Sequence, residues 1–231
     1  MAIGGVLGRL ERGLIVSCQP VPGGPMDRAE IVRAIALAAL DGGAVGLRIE
    51  SAAYVTAVRA ATAVPIIGLV KRDLEESPVR ITPWLQDVRD LLAAGADIVA
   101  FDATLRPRPV PVGELVAAIR AGGGIAMADC ASLADAEAAI AAGADILGST
   151  LSGYTGGPEP RTPDLGLVAG MARLGGWVVA EGRIRTPNEA AMALKFGARA
   201  VVVGSAITRP EHVTQWFVEA MADTAAAVPT A

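Results

Sequence analysis

Eight short apolar runs, each ending in polar or charged residues, alternate along this chain with amphipathic segments. The runs are Leu14–Gln19, Ala44–Glu50, Pro65–Lys71, Asp97–Thr104, Gly124–Cys130, Asp145–Ser152, Trp177–Arg183 and Ala200–Ile207, starting 21 to 32 residues apart. Each is too short for a globular helix. Such runs read as strands buried on both faces, the pattern of a parallel sheet covered by helices.

The intervening segments carry helix signals of several independent kinds. Asp27-Arg28-Ala29-Glu30 and Ser132-Leu133-Ala134-Asp135 read as capping boxes. Thr82-Pro83, Thr162-Pro163 and Thr186-Pro187 each place an N-cap hydroxyl before a proline at the first helical position, and Glu189 adds the acid three residues after Thr186. Val213, Trp216, Phe217, Ala220 and Met221 follow the stripe of a core-facing helix. The helix ends repeat as well. Asp41-Gly42-Gly43-Ala44, Ala94-Gly95-Ala96-Asp97, Ala142-Gly143-Ala144-Asp145 and Phe196-Gly197-Ala198-Arg199 each run from helix through a C-cap glycine into the next strand.

Short helix-to-strand joints and longer strand-to-helix loops, repeated eight times, predict an α/β fold, a (β/α)8 barrel of the TIM type. An open doubly wound sheet is the competing arrangement. It normally has five or six strands and a glycine fingerprint after the first, whereas Pro20-Val21-Pro22-Gly23-Gly24-Pro25 follows here. Val6, Leu7 and Leu10 predict a short N-terminal capping segment across one end, and with no linker in sight residues 1–231 are expected to form one domain.

Composition narrows the function. At 52% hydrophobic residues the chain can fill a large core, and with only 3% aromatics that core must be built from Ala, Val, Ile and Leu. A net charge of −4 argues against a nucleic-acid partner, which wants a basic face. No stretch is long and charge-free enough to span a membrane, and the N-terminus has no signal-peptide pattern. A cytoplasmic protein is therefore expected, with Cys18 and Cys130 reduced and buried.

A barrel gathers the C-terminal ends of its strands into one ring. Here that ring comprises Gln19, Arg48 with Glu50, Lys71 with Arg72 and Asp73, Asp102 with Thr104, Asp129, Ser152, Glu181 with Arg183, and Ser205. The loops after strands seven and eight are where barrels commonly bind phosphate. Gly182 and Gly204 would let backbone N–H groups approach an anion, with Ser205 and Arg183 or Arg209 adding charge-assisted bonds. A tight turn would also explain Gly-Ser.

The only histidine, His212, reads as an outward-facing or cap residue, and no cluster has zinc spacing, so no metal is expected. No serine–histidine pairing, Walker loop or dinucleotide loop is present. Lys71, Glu181, Asp129 and Glu50 remain for proton transfer. Lys71, crowded by Arg48 and Arg72 at a buried mouth, should be easy to deprotonate, fitting it as a base or an imine-forming amine in carbonyl chemistry on a sugar phosphate.

Seven motifs in order then resemble one family: Ser17-Cys18-Gln19-Pro20, Gly46-Leu47-Arg48-Ile49-Glu50, Ile67 to Asp73, Met127-Ala128-Asp129-Cys130, Leu151-Ser152-Gly153-Tyr154-Thr155, Ala180-Glu181-Gly182-Arg183, and Gly204 to Arg209. Together they are similar to the N-acylglucosamine-6-phosphate 2-epimerases, also called N-acetylmannosamine-6-phosphate 2-epimerases, from about Leu14 to the final helix. The resemblance implies a barrel enzyme of sialic-acid and amino-sugar catabolism without a metal or redox cofactor, acting on a phosphosugar as a homodimer. By the same resemblance Lys71 matches the catalytic lysine and Glu181 the acid paired with it. Gln19, Arg48, Asp129 and Arg209 match substrate-contacting positions. Departures fall in the loop Gly156–Arg161 and at Ile184-Arg185.

The chemistry implied is removal of the C2 proton of the open-chain sugar by neutral Lys71 and its return to the other face. Lys71, Glu181 or Asp129 could return it, Arg48 or a protonated acid could stabilise the oxyanion, and Glu181 could instead promote ring opening. Two other functions fit the same residues: a Schiff-base aldolase cleaving a keto-sugar phosphate through Lys71, and a catalytically silent sugar-phosphate sensor.

Overall fold

A computed structural model describes residues 3–226. All eight runs form strands, each shorter than the apolar run that announces it. In chain order the elements are α1 (Ile3–Leu10), β1 (Leu14–Cys18), α2 (Ala29–Asp41), β2 (Gly46–Glu50), α3 (Ala52–Arg59), β3 (Ile66–Leu69), α4 (Leu85–Ala93), β4 (Ile98–Asp102), α5 (Val112–Ala121) and β5 (Ile125–Asp129). They continue with α6 (Leu133–Ala141), β6 (Ile146–Gly148), α7 (Leu165–Arg173), β7 (Trp177–Ala180), α8 (Pro187–Lys195), β8 (Ala200–Val203), α9 (Ser205–Thr208) and α10 (Pro210–Ala226). Every strand pairs in parallel with its sequence neighbours and β8 pairs with β1, closing the barrel.

The period of two along each strand sorts the side chains into two apolar clusters. Val16, Leu47, Ile49, Val99, Ala126, Ala128, Leu147, Val178 and Val201 face outward against the helices. Ile15, Ile67, Leu69, Ile98, Ile125, Met127, Ile146, Val179 and Val202 fill the interior. The expected N-terminal cap is α1, whose Val6 and Leu10 are buried in this interior cluster. Gly46 accommodates it, since a Cβ there would lie 2.5 Å from Leu10 Cδ2.

The repeated glycine joints share one geometry. Gly43, Gly95, Gly143 and Gly197 have φ of 97°, 98°, 87° and 104°, conformations that cost a side chain strain. Each glycine N–H, and the N–H after it, bonds back into the last helical turn, as in Gly43 N–H to Leu40 O and Ala44 N–H to Ala39 O. This closes the helix and returns the chain to the barrel within a few residues.

Several cap expectations are corrected. Thr186 caps α8 in a reciprocal box with Glu189 as expected. Ser132 Oγ accepts from Asp135 N–H, but the Asp135 carboxylate accepts from Ala131 and Leu105 N–H instead of returning to Ser132, so that box is only half formed. Asp27 caps nothing, because its carboxylate is taken by Gly23 N–H at 2.8 Å and the Tyr54 hydroxyl at 2.7 Å. Thr82 precedes α4 by three residues. Its hydroxyl donates to Ala100 O and accepts from Val70 N–H, tying the β3–α4 loop to the barrel. At α7 the cap is Asp164 rather than Thr162.

The stripe expected on α10 is rotated by one residue. Phe217 is 67% exposed, while His212, Gln215, Trp216 and Glu219 line the cavity at the C-terminal mouth. His212 is accordingly a half-buried wall residue, not an outward one. The helix contacts α9, and its first turns form part of the cavity wall. Among the described residues no helix is long and apolar enough to cross a membrane.

Candidate active site

Counting by twos from the interior residues of each strand fixes what reaches the mouth. The series Ile15–Ser17–Gln19, Gly46–Arg48–Glu50, Ile67–Leu69–Lys71, Ile98–Ala100–Asp102, Ile125–Met127–Asp129, Ile146–Gly148–Thr150, Val179–Glu181 and Ala200–Val202–Gly204 all point inward. A cavity of about 670 Å³ opens there.

Lys71 lies two residues beyond the end of β3 and is held in register by a bridge to Ile81, in a loop that folds back on itself. Its Nζ donates to Gln19 Oε1 at 2.6 Å and pairs with Glu50 Oε2 at 3.1 Å. Burial lowers the lysine's pKa from its usual value, against the opposing pull of Glu50, and Arg209 and Arg48 lower it further. The crowding by Arg72 expected from the sequence does not occur. One residue out of phase, Arg72 turns outward to bond Asp87 at 2.9 Å.

Beneath the cavity floor, Arg48 is 1% exposed and pairs with Asp129, which is fully buried, at 2.6 Å. A second guanidinium nitrogen reaches Glu181 Oε2 at 3.3 Å. Thr150 Oγ1 lies between the two acids, 2.6 Å from Asp129 Oδ1 and 3.2 Å from Glu181 Oε2. Burial raises the pKa of Glu181 from its usual value, with Arg48 opposing the effect and Asp129 adding to it.

The loops after β7 and β8 form the other wall. Gly182, with φ of 106°, Gly204 and Ser205 line it together with Arg185 and Arg209. Gln19 connects this wall to the lysine: its Nε2 donates to Ser17 Oγ at 2.8 Å, and Ser17 packs against Gly204. Arg209 Nε donates to Gln19 O at 2.7 Å.

Arg183 lines the cavity, yet its guanidinium is committed to Thr162 O at 2.8 Å and to Ser152 O, and it stacks under Tyr154. It braces the β6–α7 loop. Ser152 points away from the cavity, its hydroxyl donating to Asp164 at 2.7 Å.

The structure thus brings Gln19, Lys71, Glu181, Gly182, Arg183, Gly204, Ser205 and Arg209 around one cavity, with Arg48 and Asp129 below it and Ser152 outside it. Sequence reading missed Thr150, and also Arg80, Arg106, Tyr154 and Trp216 of the cavity wall. Two-residue periodicity extended past β6 from Ile146 and Gly148 identifies Thr150. The departures from the family pattern also reach the cavity, through Glu159 and through Arg185, which stacks on Trp216 at 4.4 Å.

The chain is 58% identical over 217 residues to the "Bifunctional enzyme NanE/NanK" of Brucella melitensis, matching 94% of this chain and 42% of that one. It therefore spans less than half the length of the bifunctional relative. It is 57% identical over 208 residues to the "Putative N-acetylmannosamine-6-phosphate 2-epimerase" of Edwardsiella ictaluri, covering 90% of this chain and 88% of the relative. The solved N-acetylmannosamine-6-phosphate 2-epimerase of Clostridium perfringens superposes with a TM-score of 0.90 at 37% identity, over 92% of this chain and 95% of that one. Residues 32–223 match the family described as "Putative N-acetylmannosamine-6-phosphate epimerase", and the chain belongs to that family.

Proposed function

We propose that this chain interconverts N-acetylmannosamine 6-phosphate and N-acetylglucosamine 6-phosphate, in the cytoplasmic breakdown of amino sugars. The observation that carries this reading is one cavity that joins a half-buried amine, a half-buried carboxyl and a wall of glycine turns and arginines.

The phosphate would lie against Gly182, Gly204 and Ser205, with Arg209 beside it. The open-chain sugar would then extend toward Lys71 and Glu181. A C1 aldehyde acidifies the hydrogen at C2. The Lys71 lone pair takes that proton, and the C–H electron pair passes into an enolate. Glu181 gives its proton to the opposite face of C2, and the enolate electrons form the new C–H bond. Lys71 leaves turnover as the ammonium and Glu181 as the carboxylate, and exchange with solvent resets both. The return reaction starts from the opposite protonation states. Complete burial of Asp129 favours Glu181 over Asp129 as the second group.

The test is a proton NMR time course in heavy water with N-acetylmannosamine 6-phosphate. The epimer should accumulate carrying deuterium at C2. Epimer formed without C2 deuterium, or no epimer, defeats the reading.

The protein is also proposed to act as a homodimer. The exposure of Phe217 and Val218 on α10 supports this, and light scattering in solution tests it.

A further inference from the structure

Asp129 and Glu181 converge on the same guanidinium and the same hydroxyl, but not equally. Arg48 grips Asp129 with both terminal nitrogens, at 2.6 and 3.3 Å, and Glu181 with only one, at 3.3 Å. Thr150 Oγ1 stands 2.6 Å from Asp129 Oδ1 and 3.2 Å from Glu181 Oε2. A hydroxyl has one proton and two lone pairs, so it can donate to only one of these acids. The distances identify the recipient. A hydroxyl donating to a carboxylate spans about 2.5–2.7 Å, which is the Asp129 contact. With its proton directed at Asp129, what Thr150 turns toward Glu181 is a lone pair. Only a hydroxyl aimed the other way, at Glu181, would lower that acid's pKa. Facing an ionised oxygen that lone pair is repelled, whereas facing a carboxylic O–H it is a hydrogen-bond acceptor.

Charge agrees with this orientation. The single positive charge of Arg48 is matched by Asp129. An ionised Glu181 would leave surplus negative charge in a largely closed interior, its side chain being 14% exposed. The groups facing Glu181 are Arg48 from β2, Lys71 after β3, Asp129 from β5 and Thr150 after β6. Of these, Arg48 offers no acceptor and Asp129 has its oxygens engaged by Arg48 and the Thr150 hydroxyl, whereas Thr150 has a lone pair within hydrogen-bond reach of Glu181 Oε2.

We propose that Thr150 is a positioning residue that holds Glu181 in its acid form, donating its own proton to Asp129 and accepting that of Glu181. The proposal rests on Glu181 acting as the acid of the proposed epimerisation. To deliver its proton, the Glu181 O–H turns from Thr150 toward the cavity it already lines. Once it is lost, the Thr150 hydroxyl can swing its proton to Glu181 Oε2, while Asp129 keeps both nitrogens of Arg48. One proton stays on Thr150 throughout, and one leaves Glu181 for C2.

The experiment follows the Glu181 acid directly, by the infrared carbonyl stretch of its protonated carboxyl in heavy water without substrate. The band is assigned by its loss in Glu181→Gln. Thr150→Val, similar in shape but without a hydroxyl, should lose the band at a pH lower by about 0.5–1 unit, a three- to tenfold drop in proton affinity from one missing hydrogen bond. Thr150→Ser should restore the wild-type midpoint, and the pH profile of kcat/KM should shift in parallel. Thr150→Ala replaces Thr150→Val should the latter not fold. An unchanged or raised midpoint in the folded variant, failure of Thr150→Ser to restore it, or no Glu181 acid band at the working pH overturns the proposal. The band needs no turnover. A wild-type protein that makes no epimer therefore defeats the proposed function alone, and an active enzyme with an unmoved midpoint defeats the role of Thr150 alone.

Discussion

Arg48 on β2 and Asp129 on β5 clasp each other across the barrel interior, 2.6 Å apart and both shut off from solvent. Removing one partner of such a pair strands the other charge, which costs about 3–5 kcal/mol, whereas replacing both with apolar side chains is often neutral. Asp129→Leu should accordingly lose about 3–5 kcal/mol in urea denaturation. The double variant Arg48→Met/Asp129→Leu should recover most of that stability and still fail to epimerise. Recovery of stability together with activity would mean that the clasp serves the fold alone.

A second prediction concerns pH. The free amine of Lys71 is the proposed base, so activity falls as pH drops and the ammonium forms. Because burial lowers this pKa from 10.5, the fall begins at lower pH than for a free lysine. The proposed acid, Glu181, must be protonated, so activity also falls as pH rises through a value that burial has raised from 4.5. Both shifts move toward neutrality and enlarge the fraction of enzyme with both groups ready. The kcat profile should be a bell with both limbs between those two free values, each limb belonging to the coupled pair. In Glu181→Gln the residual rate should only climb with pH, following Lys71. Lys71→Ala should cost about 10²–10⁴-fold in kcat, the usual worth of a positioned base.

Gly148 is required by its neighbours rather than by its backbone. A Cβ there would lie 2.8 Å from Met127 Cε and 3.0 Å from both Asp129 Oδ1 and Thr150 Oγ1. Gly148→Ala should therefore cost about 1–3 kcal/mol of stability through overpacking. It should also lower kcat by pushing Thr150, which holds Glu181, and Asp129, which anchors Thr150 and Arg48. Thermal denaturation and steady-state kinetics on the same sample separate the two effects, and an alanine tolerated in both would contradict this packing.

The barrel was legible because its signals are local and repeated. Apolar runs of strand length and glycines such as Gly95 and Gly143 depend only on neighbouring residues. The errors arose where a distant partner decides. Nothing near Thr82 in sequence indicates that Ala100 O, 18 residues on, will take its hydroxyl. Asp27 was lost as a cap to Tyr54, 27 residues away. Thr150 was overlooked because Ser152 also continues the alternation. The chain turns over Ser149 to Ser152, however, where Ser152 N–H bonds Ser149 O, so the alternation reaches Thr150 and goes no further. On α10 the periodicity was genuine, but the helix packs beside α9 and the cavity, so its inner face is set one residue earlier than the apolar stripe suggests.

Gly182 offers a test of the phosphate wall that separates strain from binding. Its φ of 106° is strained for any side chain, although an added Cβ would meet nothing closer than Thr150 O at 3.6 Å. Gly175, at the end of α7, has φ of 82° with nothing within 4 Å, far from the proposed chemistry. Alanine at either position should cost about 1–3 kcal/mol, the usual price of a side chain held in this region. Only Gly182→Ala should also raise KM for the phosphosugar, because the strained turn would move the N–H groups proposed to meet the phosphate. Inorganic phosphate should then protect Gly175→Ala against thermal denaturation as it protects the wild type, and protect Gly182→Ala less. Equal protection of both variants would place the phosphate elsewhere in the cavity.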